Sequence, residues 1–186
     1  MAQAMIKTLR CLAVLLLGLF ALPSTSLAHR LDEYLQATIV TIEPGEVRLQ
    51  INLTPGVAVA EQVLFLIDHD HDGVISTNEA TAYAKLLMRD LILWLDQRKL
   101  ELKLTSSNLP APTELRTGEG IIQIEFSATI GPLPSGAHKL ILKNRHLPSL
   151  SVYLFNAAQP RSDSVHVTRQ KRNDSQSTGE IEFTID

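Results

Sequence analysis

The chain has 186 residues, of which 45% are hydrophobic and 20% are charged, and its formal net charge is −3. This weakly acidic balance argues against a nucleic-acid-binding protein, which would need a basic surface, while the hydrophobic content is sufficient for a folded core. The single cysteine, Cys11, excludes a disulfide framework, and no Ser–His–Asp order or glycine-rich phosphate loop indicates an enzyme.

The first 28 residues have the layout of a secretory signal peptide. Lys7 and Arg10 precede an apolar run from Cys11 to Leu22, and small residues up to Ala28 suit a signal peptidase. A retained anchor is the alternative, but the run is short for a transmembrane helix. We therefore predict cleavage after Ala28 and a mature chain, 29–186, that does not span a membrane. Because this mature chain has no cysteine, a bacterial periplasmic or secreted location is favoured over a eukaryotic one.

The mature sequence begins with strand-like and then helix-like patterns. Apolar and polar residues alternate from Tyr34 to Thr54, and Pro44–Gly45 interrupts the alternation, which predicts a β-hairpin. The segments Val57–Ile67 and Asn78–Met88 are rich in helix-compatible residues, so we predict two helices on either side of an acidic segment.

Beyond the second helix the pattern again indicates strands. Leu91–Leu95 could extend the helix, but Leu100, Leu102 and Leu104 alternate shortly afterwards, which favours a second hairpin. Pro110 and Pro112 predict a surface connection. Five further alternating segments follow: Ile122–Ala128, Leu140–Leu142, Val152–Leu154, Val165–Val167 and Ile181–Ile185.

Many short strands without crossover helices predict a mainly β fold. We expect an antiparallel β-sandwich of immunoglobulin-like type, formed as a single domain over residues 29–186. The helix–loop–helix at about residues 57–89 would be an insertion between the first and second hairpins.

The acidic loop between the helices is the motif that carries chemistry. Oxygen-bearing side chains occupy its first, third, fifth, ninth and twelfth positions, which are Asp68, Asp70, Asp72, Ser76 and Glu79. Calcium takes six to eight oxygen ligands, so each aspartate would give one carboxylate oxygen and Glu79 both. Val74 would give its backbone carbonyl, and Ser76 would act directly or through water. Gly73 permits the sharp turn, and Ile75 would point into the core.

This pattern resembles an EF-hand over about Val57–Met88 and departs from it at no ligand position. The resemblance implies that the loop binds one Ca²⁺ ion, whereas an accidental match in an acidic surface turn is the alternative. His69 and His71 occupy positions whose side chains point away from the ion, so they are expected to be solvated. A zinc or nickel role for them stays open.

A looser resemblance rests on Ala28–Gln36, which reads Ala-His-Arg-Leu-Asp-Glu-Tyr-Leu-Gln. Such a mature start is similar to uncharacterised bacterial exported proteins that carry one EF-hand in a β-rich domain. It implies a location in the cell envelope and no mechanism.

Two rival functions remain beside calcium binding. His29 would be the mature N-terminus, and its amine and imidazole could bind copper together with His138, His146 or His166. A transition-metal-handling protein or copper enzyme is therefore one alternative, and an interaction module of an envelope transporter is another. The sequence favours an exported, non-catalytic calcium-binding protein in which the ion is structural.

Overall fold

The computed structural model describes residues 32–186. The predicted signal peptide, its cleavage point and His29 lie outside the described residues. None of the helices in residues 32–186 has the length and hydrophobicity needed to cross a membrane.

Ten strands and three helices are formed within residues 32–186. In chain order they are β1 (Tyr34–Glu43), β2 (Gly45–Pro55), α1 (Ala60–Ile67), α2 (Thr77–Asp90), β3 (Leu91–Leu95), β4 (Arg98–Leu100), β5 (Lys103–Asn108), α3 (Pro112–Arg116), β6 (Ile122–Gly131), β7 (Gly136–Asn144), β8 (Ser151–Ala157), β9 (Val165–Arg172) and β10 (Thr178–Ile185). The prediction of a mainly β protein is confirmed.

The strands form two five-stranded sheets. The first sheet has the order β5-β6-β2-β1-β8 and the second the order β4-β3-β7-β10-β9. Neighbouring strands are antiparallel except β1 and β8, which pair in parallel from Tyr34 opposite Ser151 to Val40 opposite Ala157. The chain crosses from the second sheet to the first between β7 and β8, so no tight turn forces β8 to run against β1.

The first predicted hairpin is confirmed. β1 and β2 pair from Tyr34 opposite Pro55 to Glu43 opposite Glu46. Gly45 has a φ of +83°, which glycine adopts without a steric penalty, and it lets the chain reverse between the strands. The alternating apolar residues of β2 all face the core.

The second hairpin forms but is shorter than predicted. Leu91–Leu95 is a strand, as predicted, and not an extension of the helix. It pairs with β4 across a turn in which Asp96 and Gln97 have positive φ. Leu104, however, belongs to β5, which pairs with β6 in the other sheet. The alternating leucines therefore belong to two different sheets, with Leu100 in the second sheet and Leu104 in the first.

One further prediction needs correction, and another needs qualification. The alternating pattern of Val152–Leu154 predicts that these two residues lie on the apolar face of their strand. In β8, however, Val152 and Leu154 point outward, whereas Tyr153 and Phe155 are buried. The aromatic side chains have the larger apolar surface, so they take the core positions in an almost wholly apolar strand. Pro110 and Pro112 do lie in a mostly exposed connection, between β5 and β6, but Pro112 itself is buried as the first residue of α3.

One hydrophobic cluster draws on both sheets and on the two longer helices. Phe126 of the first sheet and Phe183 of the second both belong to it and are fully buried. Helix α1 adds Val63 and Ile67, and α2 adds Leu87. The helix pair is therefore anchored in the core, and the loop between the helices starts and ends at anchored residues.

Candidate metal centre

Each end of the acidic loop is fixed by the helix beside it. Helix α1 ends when Asp68 leaves the helical conformation while its N–H still bonds Leu64. Helix α2 begins after Ser76, whose hydroxyl accepts a hydrogen bond from the N–H of Glu79, while the Glu79 side chain accepts one from the N–H of Ser76. This reciprocal arrangement satisfies two helix-end donors and orients the Glu79 carboxylate towards the loop.

Asp68 places a carboxylate inside the loop. The residue is only 7% exposed, and its Oδ2 accepts a hydrogen bond of 3.1 Å from Gly73 N. Its Oδ1 is buried and has no hydrogen-bond partner within the described residues. Leaving a buried polar atom unpaired costs about 1–3 kcal/mol, and more for a charged group, so a hydrogen-bond donor or a cation at this oxygen would stabilise the loop.

Glu79 faces Asp68 from the other end of the loop. Its Oε1 accepts from His69 N at 2.7 Å, and its Oε2 accepts from Ser76 N at 2.9 Å and from Ser76 Oγ at 2.8 Å. The hydrogen bonds from Ser76, with smaller contributions from the His69 and Asp70 amides, lower the pKa of Glu79 to about 2 against the opposing effect of burial. The side chain is therefore a carboxylate at neutral pH.

Three carboxylates converge in this loop. Asp68, Asp70 and Glu79 each offer an oxygen atom, and these atoms lie within 4.8 Å of one another. Calcium–oxygen bonds of about 2.3–2.6 Å allow two ligands of one ion to be at most about 5 Å apart, so all three oxygens could reach the same ion. A carboxylate has about four acceptor positions, and the three hydrogen bonds to Glu79 leave one of them on Oε1.

The other predicted ligands have different contacts. Asp72 lies outside the group of three carboxylates, and its Oδ1 accepts from Val74 N at 2.7 Å. Val74 is 62% exposed. The Ser76 hydroxyl is directed at Glu79, so a contact of Ser76 with an ion would compete with the helix cap.

The non-ligand positions of the loop agree with their predicted roles. Gly73 has a φ of +80° with open space where a side chain would begin, so backbone conformation selects glycine there. Ile75 packs against the hydrophobic cluster. His69 and His71 are exposed, and the ring of His71 stacks on Phe65 with the centroids 5.2 Å apart. The sequence pattern of the loop did not predict that stacking, because Phe65 lies outside the loop, on the exposed side of α1.

No protein-family model and no curated protein matches the chain. Inferences about the loop therefore depend on its own sequence and geometry.

The three described histidines that were considered for copper, His138, His146 and His166, belong to no group with metal-site spacing. His138 uses both ring nitrogens, with Nδ1 2.6 Å from Asp96 Oδ2 and Nε2 2.8 Å from the Pro134 carbonyl oxygen. His146 is fully buried, and His166 is exposed beside Asp186. Across residues 32–186, the only group of three or more such side chains with metal-site spacing is that of Asp68, Asp70 and Glu79.

Proposed function

We propose that this protein binds one Ca²⁺ ion in an EF-hand formed by the loop Asp68–Glu79. The observation that carries the proposal is Asp68, whose buried Oδ1 has no hydrogen-bond partner within residues 32–186 and whose carboxylate belongs to a group of three that converge. An ion in the loop would supply the positive charge that this oxygen lacks. The ligands would be Asp68, Asp70, Asp72, the Val74 carbonyl, Ser76 and Glu79.

The donor atoms favour a hard cation. The converging atoms are all carboxylate oxygens, and neither loop histidine belongs to the group, so the site suits a hard cation better than zinc or copper, which favour nitrogen or sulfur ligands. Magnesium demands a compact octahedral shell at about 2.0–2.1 Å, whereas calcium accepts longer and less regular bonds. A bidentate Glu79, which would have to give up a hydrogen bond from Ser76 to Oε2, would add to this preference for calcium.

The ion would be structural and the protein non-catalytic. Both helices that flank the loop are anchored in the core, and a single loop has no second loop to pair with. Extracellular calcium modules commonly bind at about 10⁻⁴–10⁻³ M, so a site of this class would be filled where calcium is abundant.

The surrounding fold is proposed to be an immunoglobulin-like β-sandwich with the EF-hand inserted between β2 and β3. Two five-stranded sheets that contribute to one buried cluster support this view, as does the position of the helix pair in the chain.

Calcium titration calorimetry on the Glu79→Gln variant tests the proposed site. The substitution removes one negative charge and the bidentate mode while keeping the size of the side chain. Loss of a group that merely orients a ligand costs about 10–100-fold in affinity, so loss of this ligand should weaken binding by more than about 100-fold. Glu114→Gln removes the same charge from an exposed residue of α3 and should bind like the wild type. Equal affinities for wild type and Glu79→Gln would refute the assignment.

Export is the second part of the proposal. The basic start, the apolar run and the small residues before His29 support cleavage after Ala28 and release into the periplasm or the medium. The intact mass of the protein recovered from the periplasmic or extracellular fraction should correspond to residues 29–186. A full-length mass found only in membranes would identify the segment as an anchor instead.

A further inference from the structure

Helix α2 connects the candidate metal centre with the interior of the protein. Its first turn carries Glu79, and Tyr83 follows four residues later, so both side chains lie on the same face of the helix. Both residues are buried, and Tyr83 is 1% exposed. A buried tyrosine requires a partner for its hydroxyl, and here it has two.

Tyr83 and the end of α2 are held by one imidazole. The Tyr83 hydroxyl lies 2.6 Å from the Tyr34 hydroxyl and 3.0 Å from His146 Nε2. His146 Nδ1 lies 2.7 Å from Oδ2 of Asp90, the last residue of α2. The His146 ring thus contacts α2 at two points about two turns apart. These contacts restrict both the rotation of the helix and its position along its own axis.

The donors and acceptors of this chain are consistent with a neutral ring. Burial lowers the pKa of His146 below its usual value of 6.5, although Asp90 acts in the opposite direction. A neutral imidazole then donates from Nδ1 to Asp90 and accepts at Nε2 from Tyr83, whose oxygen accepts from Tyr34. Every group in the chain has a partner.

His146 is itself fixed to the first sheet. Its carbonyl oxygen accepts from Gln36 Nε2 at 2.9 Å and from the Tyr153 hydroxyl at 2.9 Å, and its N–H donates to Asn144 Oδ1 at 2.9 Å. Gln36 is in β1 and Tyr153 in β8. The imidazole is therefore a rigid attachment point for α2, not a mobile side chain.

We infer that His146, through Tyr83 and Asp90, positions α2 so that Glu79 faces the calcium loop. This inference rests on the proposed calcium site and makes His146 and Tyr83 positioning residues of it. Because coupling between two sites is reciprocal, calcium should also act on the contact between Tyr83 and His146.

Calcium calorimetry on Tyr83→Phe, with Tyr153→Phe as control, tests the inference. Each variant removes one buried tyrosine hydroxyl that bonds to His146, but only Tyr83 belongs to α2. Couplings of this kind are typically fivefold or more, so Tyr83→Phe should weaken calcium binding by at least about fivefold. Tyr153→Phe should lower thermal stability and leave the calcium affinity at the wild-type value. In the wild type, calcium should shift the imidazole NMR signals of His146.

The outcomes separate this inference from the proposed function. If Tyr83→Phe lowers the melting temperature but binds calcium like the wild type, the positioning role is wrong while the calcium site stands. If the wild type itself binds no calcium, the proposed function fails. Should Tyr83→Phe not fold, Asp90→Ala gives the same readout, because it removes the oxygen that accepts from His146 Nδ1 at the end of α2. An unchanged affinity in that variant would equally overturn the inference.

Discussion

Asp68 combines two unfavourable features that an ion would resolve together. One of its oxygens is buried without a partner among the described residues, and its carboxylate offers an oxygen within 4.8 Å of oxygens from two other carboxylates. Both features raise the free energy of the folded protein when no cation is bound, since like charges repel and a buried charge loses its hydration. We therefore expect Asp68 to destabilise the calcium-free protein and to stabilise the calcium-bound protein.

Asp68→Asn should change stability in opposite directions with and without calcium. In a chelator the variant should be more stable than the wild type by about 1–3 kcal/mol, because the charge is removed, an amide oxygen can still accept from Gly73 N, and the amide NH₂ can donate to the neighbouring carboxylates of Asp70 and Glu79. With calcium in excess it should be less stable, because a ligand is lost. Urea unfolding under both conditions measures the two differences.

Asp174→Asn is the matched control for this sign change. Asp174 is exposed in the turn between β9 and β10, far along the chain from the loop, so its neutralisation should have the same small effect in both conditions. Equal destabilisation of Asp68→Asn with and without calcium would show that Asp68 is an ordinary structural residue.

The secondary-structure elements whose apolar residues repeat with a single helical or strand period were predictable from the sequence. The two helices were placed within three residues at each end, and α2 begins at Thr77 where the capping pair Ser76 and Glu79 sets its start. The twelve-residue spacing likewise predicted that Asp68, Asp70 and Glu79 would converge, because a local loop fixes their separation.

Elements that depend on distant parts of the chain were not predictable. The segment that forms β8 is apolar at almost every position, so no periodicity identifies its buried face, and its parallel pairing with β1 joins residues more than 100 positions apart. The contact between Tyr34 and Tyr83 spans 49 positions and that between Tyr83 and His146 spans 63. The helical pattern of Asn78–Met88 carried no information on the polar partners of the buried Tyr83.

The exposed edge of β8 shows how side chains complete the first sheet. Gln170 Oε1 accepts from Ala157 N at 2.7 Å, and Arg172 Nε donates to the Phe155 carbonyl oxygen at 2.6 Å. Both side chains, the acceptor Gln170 and the donor Arg172, come from β9, which lies at the edge of the second sheet. Side chains therefore satisfy backbone groups that an edge strand would otherwise offer to another chain, and they link the two sheets.

At the scale of the whole molecule, calcium should stabilise the protein and should not switch it. The carboxylates of Asp68, Asp70 and Glu79 are held together only in the folded loop, so calcium should bind the native state in preference to the unfolded chain. A ligand at a hundred times its dissociation constant then adds about 2.7 kcal/mol to the free energy of unfolding. Thermal or urea unfolding over a calcium titration should follow this dependence, and Glu79→Gln should abolish it.

Hydrogen exchange shows where that stabilisation acts. Protection should increase mainly within Val57–Met88, because the loop and its flanking helices are the parts that the ion holds together. The attachment of α2 to His146 should extend a smaller increase to residues 144–147, whereas β9 and β10 have no direct link to α2 in this network and should exchange at the same rate with and without calcium. A calcium sensor would behave differently, because its helices open and expose an apolar groove. Two results would therefore contradict the structural role and identify the protein as a sensor. One is calcium-induced binding of a hydrophobic dye, and the other is faster hydrogen exchange of the backbone amides in α1 and α2 when calcium is added.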